Sequence, residues 1–235
     1  MKITIVFENS PIEGFNTGWG FSALVETDRD VVLFDTGCSG RDLLQNLEAL
    51  KVDPSTLNKV VISHSHWDHT GGVFDLADVK GGMHFYTGHS LSRRFTDEIQ
   101  RRDGTVSRGD DWRRLADDLF ITPELSRNVP EQALVILKDE FVTLLLGCSH
   151  PGVDRFAAMV YRKFKRPMVI VGGFHYFPLS RRQIVNQIKK IEKYPVLMMI
   201  PMHCTGQEGT LMLKEYFKVR ELYTGDVIPL DRLAP

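Results

Sequence analysis

The chain has 235 residues, 43% of them hydrophobic and 25% charged, with a formal net charge of −1. That length can bury a sizeable core, and the near-neutral balance excludes a global attraction to nucleic acid or to an anionic membrane. No run approaches the ~18 apolar residues of a membrane span and the apolar start is too short for a signal-peptide core, while Cys38, Cys148 and Cys204 form no CxxC pair, so a reduced cytoplasmic protein is expected.

In chain order, "ITIVF" (3–7), "FSALVET" (21–27) and "VVLFDTG" (31–37) read as strands, the latter two joined by the turn "DRD" (28–30). In "RDLLQNLEALKV" the spacing of Leu43, Leu44, Leu47 and Leu50 predicts a helix with one buried face. The apolar strand "KVVIS" (59–63) then delivers the chain into "SHSHWDHTGG" (63–72). Residues 92–118 are highly charged and poor in branched aliphatics. They fit either a solvated helical excursion over a sheet edge or a lid-like insertion that offers Arg93, Arg94 or Arg101 to an anionic substrate.

Further on, "ALVILKDEFVTLLLGCSH" is a hairpin of two apolar runs about a polar "KDE". "PMVIVGGFH" and "YPVLMMIPMHC" are buried strands that each run into a histidine. Between them "SRRQIVNQIKKIEK" is helical, with Ile184, Val185, Ile188 and Ile191 on one side and Ser180 as its cap. No repeat or linker divides the chain, so a single domain over 1–235 is expected. The fold class expected is α/β (α+β), a four-layer αββα sandwich of two mixed, mostly antiparallel sheets with helices on the outer faces. That architecture alone hosts many activities.

The chemistry concentrates in "HSHWDH". His64 and His66 differ by two, so on extended backbone their imidazoles point the same way. Asp68 keeps that parity, and His69 follows where the chain turns toward Gly71 and Gly72. Two imidazoles at this spacing grip one cation, and Asp68 with His69 can hold a second. A nitrogen-rich donor set suits Zn²⁺, with Mn²⁺ or Fe²⁺ as alternatives. Further ligands must come from elsewhere: His150, His175 and His203 each follow an apolar run, whereas His84 and His89 read as ordinary core or surface residues.

"HSHWDHTGG" resembles the HxHxDH signature of the metallo-β-lactamase superfamily. "LFDTG" (33–37), "GCSHPG" (147–152) and "PMHCTG" (201–206) are similar to its early-aspartate, third-histidine and last-histidine motifs. "GCSHPG", "VGGFH" and "PMHCTG" also resemble a branch that contains dihydropterin (ribofuranosylaminobenzene-phosphate) synthases and metal-dependent hydrolases. The resemblance implies that His64, His66 and His150 hold one metal and that Asp68, His69 and His203 hold a second. It also implies that Asp35 orients a ligand imidazole or anchors the cluster loop. The chain departs from the pattern at Gly172–Gly173, where most members carry a bridging aspartate after a glycine. His175, two residues on, is then a metal ligand, a substrate or proton-transfer residue, or structural. Cys148 and Cys204 are expected to be small buried thiols.

The function expected is a metal-dependent hydrolase that uses a metal-bound hydroxide, oriented and deprotonated by Asp68, with His175 available to the leaving group. The substrate expected is a small anionic molecule, a phosphodiester or another ester, with no nucleic-acid or membrane partner. The alternative, implied by the synthase branch, is a transferase that condenses a dihydropterin pyrophosphate with a phosphorylated aminobenzene riboside. A di-iron redox protein is disfavoured, because such relatives carry Glu where this chain has His66.

Overall fold

The computed structural model describes residues 1–10, 12–27, 30–126 and 129–233. Its contacts divide the chain into two compact units. One is Met1–Asp110 with Tyr223–Asp231; the other is Asp111–Leu222 with the last residues of the chain.

The first unit is a seven-stranded sheet in the order β13-β1-β2-β3-β4-β5-β6. Its strands are β1 (Lys2–Phe7), β2 (Ser22–Glu26), β3 (Val31–Phe34), β4 (Lys59–Val61), β5 (His84–Thr87), β6 (Thr105–Arg108) and the late-arriving β13 (Val227–Pro229). β13, β1, β2 and β3 pair antiparallel, whereas β3 to β6 run parallel, each joined to the next by a crossover. The "DRD" turn lies partly outside the described residues, although β2 and β3 pair antiparallel on either side of it. Helix α1 (Gly40–Ala49) starts at Ser39, whose side chain accepts from the Asp42 N–H. Leu43 and Leu47 are fully buried and Leu44 and Leu50 only partly so. They pack with Val6, Leu33, Val60, Leu76 and Phe85 into one core. Two further helices, α2 (Trp67–Thr70) and α3 (Val73–Val79), follow β4.

The charged stretch 92–118 is built into regular elements. Helix α4 (Arg93–Arg101) buries Thr96 and Ile99. The stretch also supplies β6 and β7 (Arg113–Ala116), which close one edge of each sheet. Short, charged edge strands resist pairing with other chains, which accounts for a composition so unlike the core strands.

The second unit is a six-stranded sheet in the order β12-β11-β10-β9-β8-β7. It adds β8 (Leu119–Ile121), β9 (Leu134–Leu137), β10 (Val142–Leu146), β11 (Met168–Gly173) and β12 (Val196–Met202). The β9–β10 hairpin is antiparallel as the sequence implies, but β10, β11 and β12 are parallel. Both sheets are therefore mixed, and the antiparallel emphasis needs correction. Parallel strands are covered on both faces and read as unbroken apolar runs, which the sequence of β11 does. Helices α5 (Val153–Phe164), α6 (Arg181–Ile191) and α7 (Gly206–Leu213) complete this unit. Phe156, Val160, Ile184, Ile188 and Met199 share its core.

Candidate metal centre

Chemically reactive side chains gather just past the carboxyl ends of strands, where open α/β sheets place their ligands. After β3 the chain turns at Asp35 (φ 56°), after β10 at Ser149 (φ 62°), after β11 at His175 (φ 53°) and after β12 at His203 (φ 48°). A non-glycine residue in the left-handed region costs of order 1–3 kcal/mol and persists where surrounding contacts over-determine it.

In the first unit those contacts centre on Asp35, which is fully buried. Its Oδ1 accepts from the Ser63 N–H at 2.7 Å. Its Oδ2 accepts from the Ser63 hydroxyl and from His69 Nδ1, each at 2.7 Å. Since the Ser63 hydroxyl donates to Asp35, its oxygen accepts from His64 Nδ1 at 2.8 Å. One carboxylate thus orients two imidazoles, one directly and one through a hydroxyl, and leaves Nε2 of each as the ligand atom. The rings of His64 and His66 lie 4.7 Å apart and those of His64 and His69 4.2 Å apart. The parity argument applies to His64 and His66; Asp68 and His69 stand on the helical turn α2, for which His66 is the N-cap. Asp68 is buried, with Oδ2 3.8 Å from His69 Nε2. Such density of nitrogen and oxygen donors, with Nδ1 of His64 and of His69 already engaged, fits a divalent cation.

In the second unit the equivalent carboxylate is Glu131, also fully buried and unforeseen from sequence. Oε1 accepts from the N–H groups of Cys148 and Ser149, each at 2.9 Å. Oε2 accepts from the His150 N–H at 2.9 Å and from His150 Nδ1 at 3.0 Å. Four donors occupy both oxygens, so the group is held as a carboxylate and His150 presents Nε2. Nothing in "VPEQALV" marks Glu131, which lies 19 residues before His150. His203 is buried directly after β12.

His175 lies with its ring 4.5 Å from that of His150. One donor atom each from His175, Cys148 and Cys204 lies within 4.8 Å of the others. Burial pushes the Cys204 thiol up, yet hydrogen bonds from Cys148 and His175 outweigh this and hold it below its ordinary value. The absence of a side chain at 173 has a steric cause. A Cβ there would meet Gly147 O at 2.4 Å and Cys204 Sγ at 2.6 Å, so the sulfur already fills the space.

A cavity of about 480 Å³ in the second unit is lined by His150 and His175 together with Asp154, Asn186, Gln187 and Lys190. Arg93 and Arg94 stand exposed on the first turn of α4, and Arg101 pairs with Glu98 at 2.8 Å. His84 is bonded to Ser107 Oγ at 2.7 Å and stacked on Tyr86. Among the described residues no helix is long and apolar enough to cross a membrane.

The profile of the metallo-beta-lactamase superfamily matches residues 18–156, and the chain belongs to that superfamily. It is similar, at 25% identity over 94% of its length and 92% of the relative's, to 7,8-dihydropterin-6-methyl-4-(beta-D-ribofuranosyl)-aminobenzene-5'-phosphate synthase of Methanocaldococcus jannaschii. Among solved structures it is similar to Tm1679, a metal-dependent hydrolase of the beta-lactamase superfamily, at 26% identity with a TM-score of 0.83, covering 97% of this chain and 98% of that one. YhfI of Bacillus subtilis, a metallo-beta-lactamase fold protein, shares the fold at 15% identity and a TM-score of 0.72, over 97% of this chain and 99% of that one. The expected αββα fold class is therefore correct.

Proposed function

We propose that this protein is a metal-dependent hydrolase of small phosphate-bearing esters, phosphodiesters first among them. The observation that carries the reading is the pair of buried carboxylates, Asp35 and Glu131, each of which engages histidine Nδ1 and leaves Nε2 to face a ligand. In this reading His64, His66 and His150 hold one divalent ion, and Asp68, His69 and His203 hold a second. Membership of the superfamily supports that grouping. The nitrogen-rich set favours Zn²⁺, with Mn²⁺ or Fe²⁺ as alternatives. A cation held there supplies Lewis acidity and water with a pKa of about 7.

The chain's own groups then divide the remaining work. Asp35 and Glu131 fix ring orientation and tautomer, so that no reorganisation is needed when charge develops. Asp68, a buried carboxylate beside His69 Nε2, accepts the proton of the attacking water. Lys190, in the cavity lined by His150, attracts the anionic part of the substrate, with Arg93 and Arg94 as the cations of the other unit. A local cationic patch suffices for a small ligand, so neither nucleic acid nor membrane is needed as partner, and a cytoplasmic setting suits three reduced thiols.

The likeness to the dihydropterin synthase, over 94% of this chain, favours a second reading: a transferase that condenses a dihydropterin pyrophosphate with a phosphorylated aminobenzene riboside and releases pyrophosphate, whose charge a divalent ion held by the same residues would stabilise. The experiment assays the Zn²⁺- or Mn²⁺-loaded protein on generic phosphodiester, thioester and lactone substrates, and separately on a dihydropterin pyrophosphate with the riboside. Phosphodiester turnover that falls by about 10²-fold or more in His66→Ala and in Asp68→Ala supports hydrolysis. Pyrophosphate release that requires the second substrate supports transfer. Full activity in either variant ends both readings.

A further inference from the structure

We infer that Cys148, His175 and Cys204 form a separate sulfur-rich metal site, built wholly within the second unit, for a borderline-soft divalent ion such as Zn²⁺. The two thiols are each 3% exposed, come from the loops after β10 and β12, and are joined by a contact from Cys204 Sγ to Cys148 O at 3.7 Å. His175 follows β11, between them in the sheet order. Its Nδ1 is buried with no hydrogen-bond partner among the described residues. A buried polar atom left in that state costs free energy that a ligand would relieve.

The dimensions fit. Tetrahedral Zn²⁺ with bonds of about 2.3 Å to sulfur and about 2.0 Å to nitrogen separates its ligand atoms by about 3.5–3.8 Å. The three donor atoms already lie within 4.8 Å of one another, so a contraction of about 1 Å closes the site. Two thiolates and a neutral imidazole cancel the charge of a divalent cation, which makes the buried complex electrostatically balanced. The glycines are part of the construction: at Gly173 a Cβ would strike Cys204 Sγ at 2.6 Å, and at Gly172 (φ 122°) it would strike Leu146 O at 2.0 Å. The backbone approaches closely enough to bring the loops after three adjacent strands onto one point. Three protein ligands leave a fourth position open, as catalytic Zn²⁺ sites do.

The inference goes beyond the proposed function and assigns His175 to sulfur chemistry. Metal-stripped, fully reduced full-length protein is titrated with Co²⁺, and thiolate-to-cobalt charge-transfer absorption in the near ultraviolet is followed separately from the visible ligand-field bands. The expected result is a charge-transfer band in the parent protein that Cys148→Ser or Cys204→Ser weakens and the double variant abolishes. Cys38→Ser and His66→Ala should leave it in place. His66→Ala should instead diminish the ligand-field intensity of the nitrogen–oxygen centre, so failure of one centre is distinguishable from failure of the other. Circular dichroism shows whether each variant is folded; the ¹¹³Cd resonance of the folded parent, expected in the sulfur-ligand range, gives a readout that needs no variant. Absence of the charge-transfer band with ligand-field bands present, its survival in the double cysteine variant, its loss in His66→Ala, or a cadmium resonance confined to nitrogen and oxygen ligands would each overturn the site.

Discussion

Glu131 takes four hydrogen bonds on two oxygens, and no isosteric neutral group can do the same. In Glu131→Gln one acceptor becomes an NH₂ aimed at donors. Zn²⁺ affinity, measured against a competing chelator, should fall by about 10–100-fold. Asp35→Asn meets the same conflict with the N–H and hydroxyl of Ser63 and with His69, so it should also lower stability, by about 1–3 kcal/mol in urea unfolding. The opposite sign is expected at Tyr176. Burial, aided by the Asp154 charge, pushes its phenol far above the usual range, and its hydroxyl has no partner among the described residues. Tyr176→Phe should therefore stabilise, by about 1 kcal/mol. A raised phenol pKa favours the neutral form in the folded state. That contribution is intact below the ordinary value of 10.0 and lost as pH rises beyond it, so the parent should weaken in alkali relative to the variant. Asp35 was legible because "LFDTG" resembles the early-aspartate motif of the superfamily; Glu131 was not, because its role depends on pairing with backbone amides of a distant loop.

At the level of single elements, local chemistry was readable and partnership was not. The isoleucine spacing and Ser180 define α6, where the Gln183 side chain accepts from the Ser180 N–H at 2.9 Å. Gln183→Ala should lower stability by about 0.5–1 kcal/mol in thermal unfolding. Apolar runs located β10, β11 and β12, but periodicity reports burial and not which neighbour a strand takes or in what direction. The parallel pairing emerges only with the crossovers that α5 and α6 supply. The charged strands β6 and β7 went unrecognised for a related reason: edge position removes the apolar pattern by which a strand is detected. Gly173, notable in sequence for what it lacks, is explained by contact. Gly173→Ala should cost about 1–3 kcal/mol through overpacking against Cys204 and Gly147, readable as a lower urea midpoint.

For the molecule as a whole, ligation and folding are linked, because the ligand groups converge only in the native chain. Zn²⁺ at a hundredfold excess over its Kd should add about 2.7 kcal/mol to unfolding stability, and a chelator should remove that gain. His66→Ala should retain its metal-free melting temperature and lose most of the metal-dependent increment. A different constraint arises from β13, which pairs with β1 through Lys2↔Pro229, Ile3↔Ile228 and Thr4↔Val227. During synthesis β1 must wait for more than two hundred intervening residues before its outer hydrogen-bonding edge is capped. Throughout synthesis that edge is a sticky template. Terminating translation ahead of Tyr223 should therefore yield nascent protein that scatters light and partitions to the pellet, even though every proposed ligand has already been made.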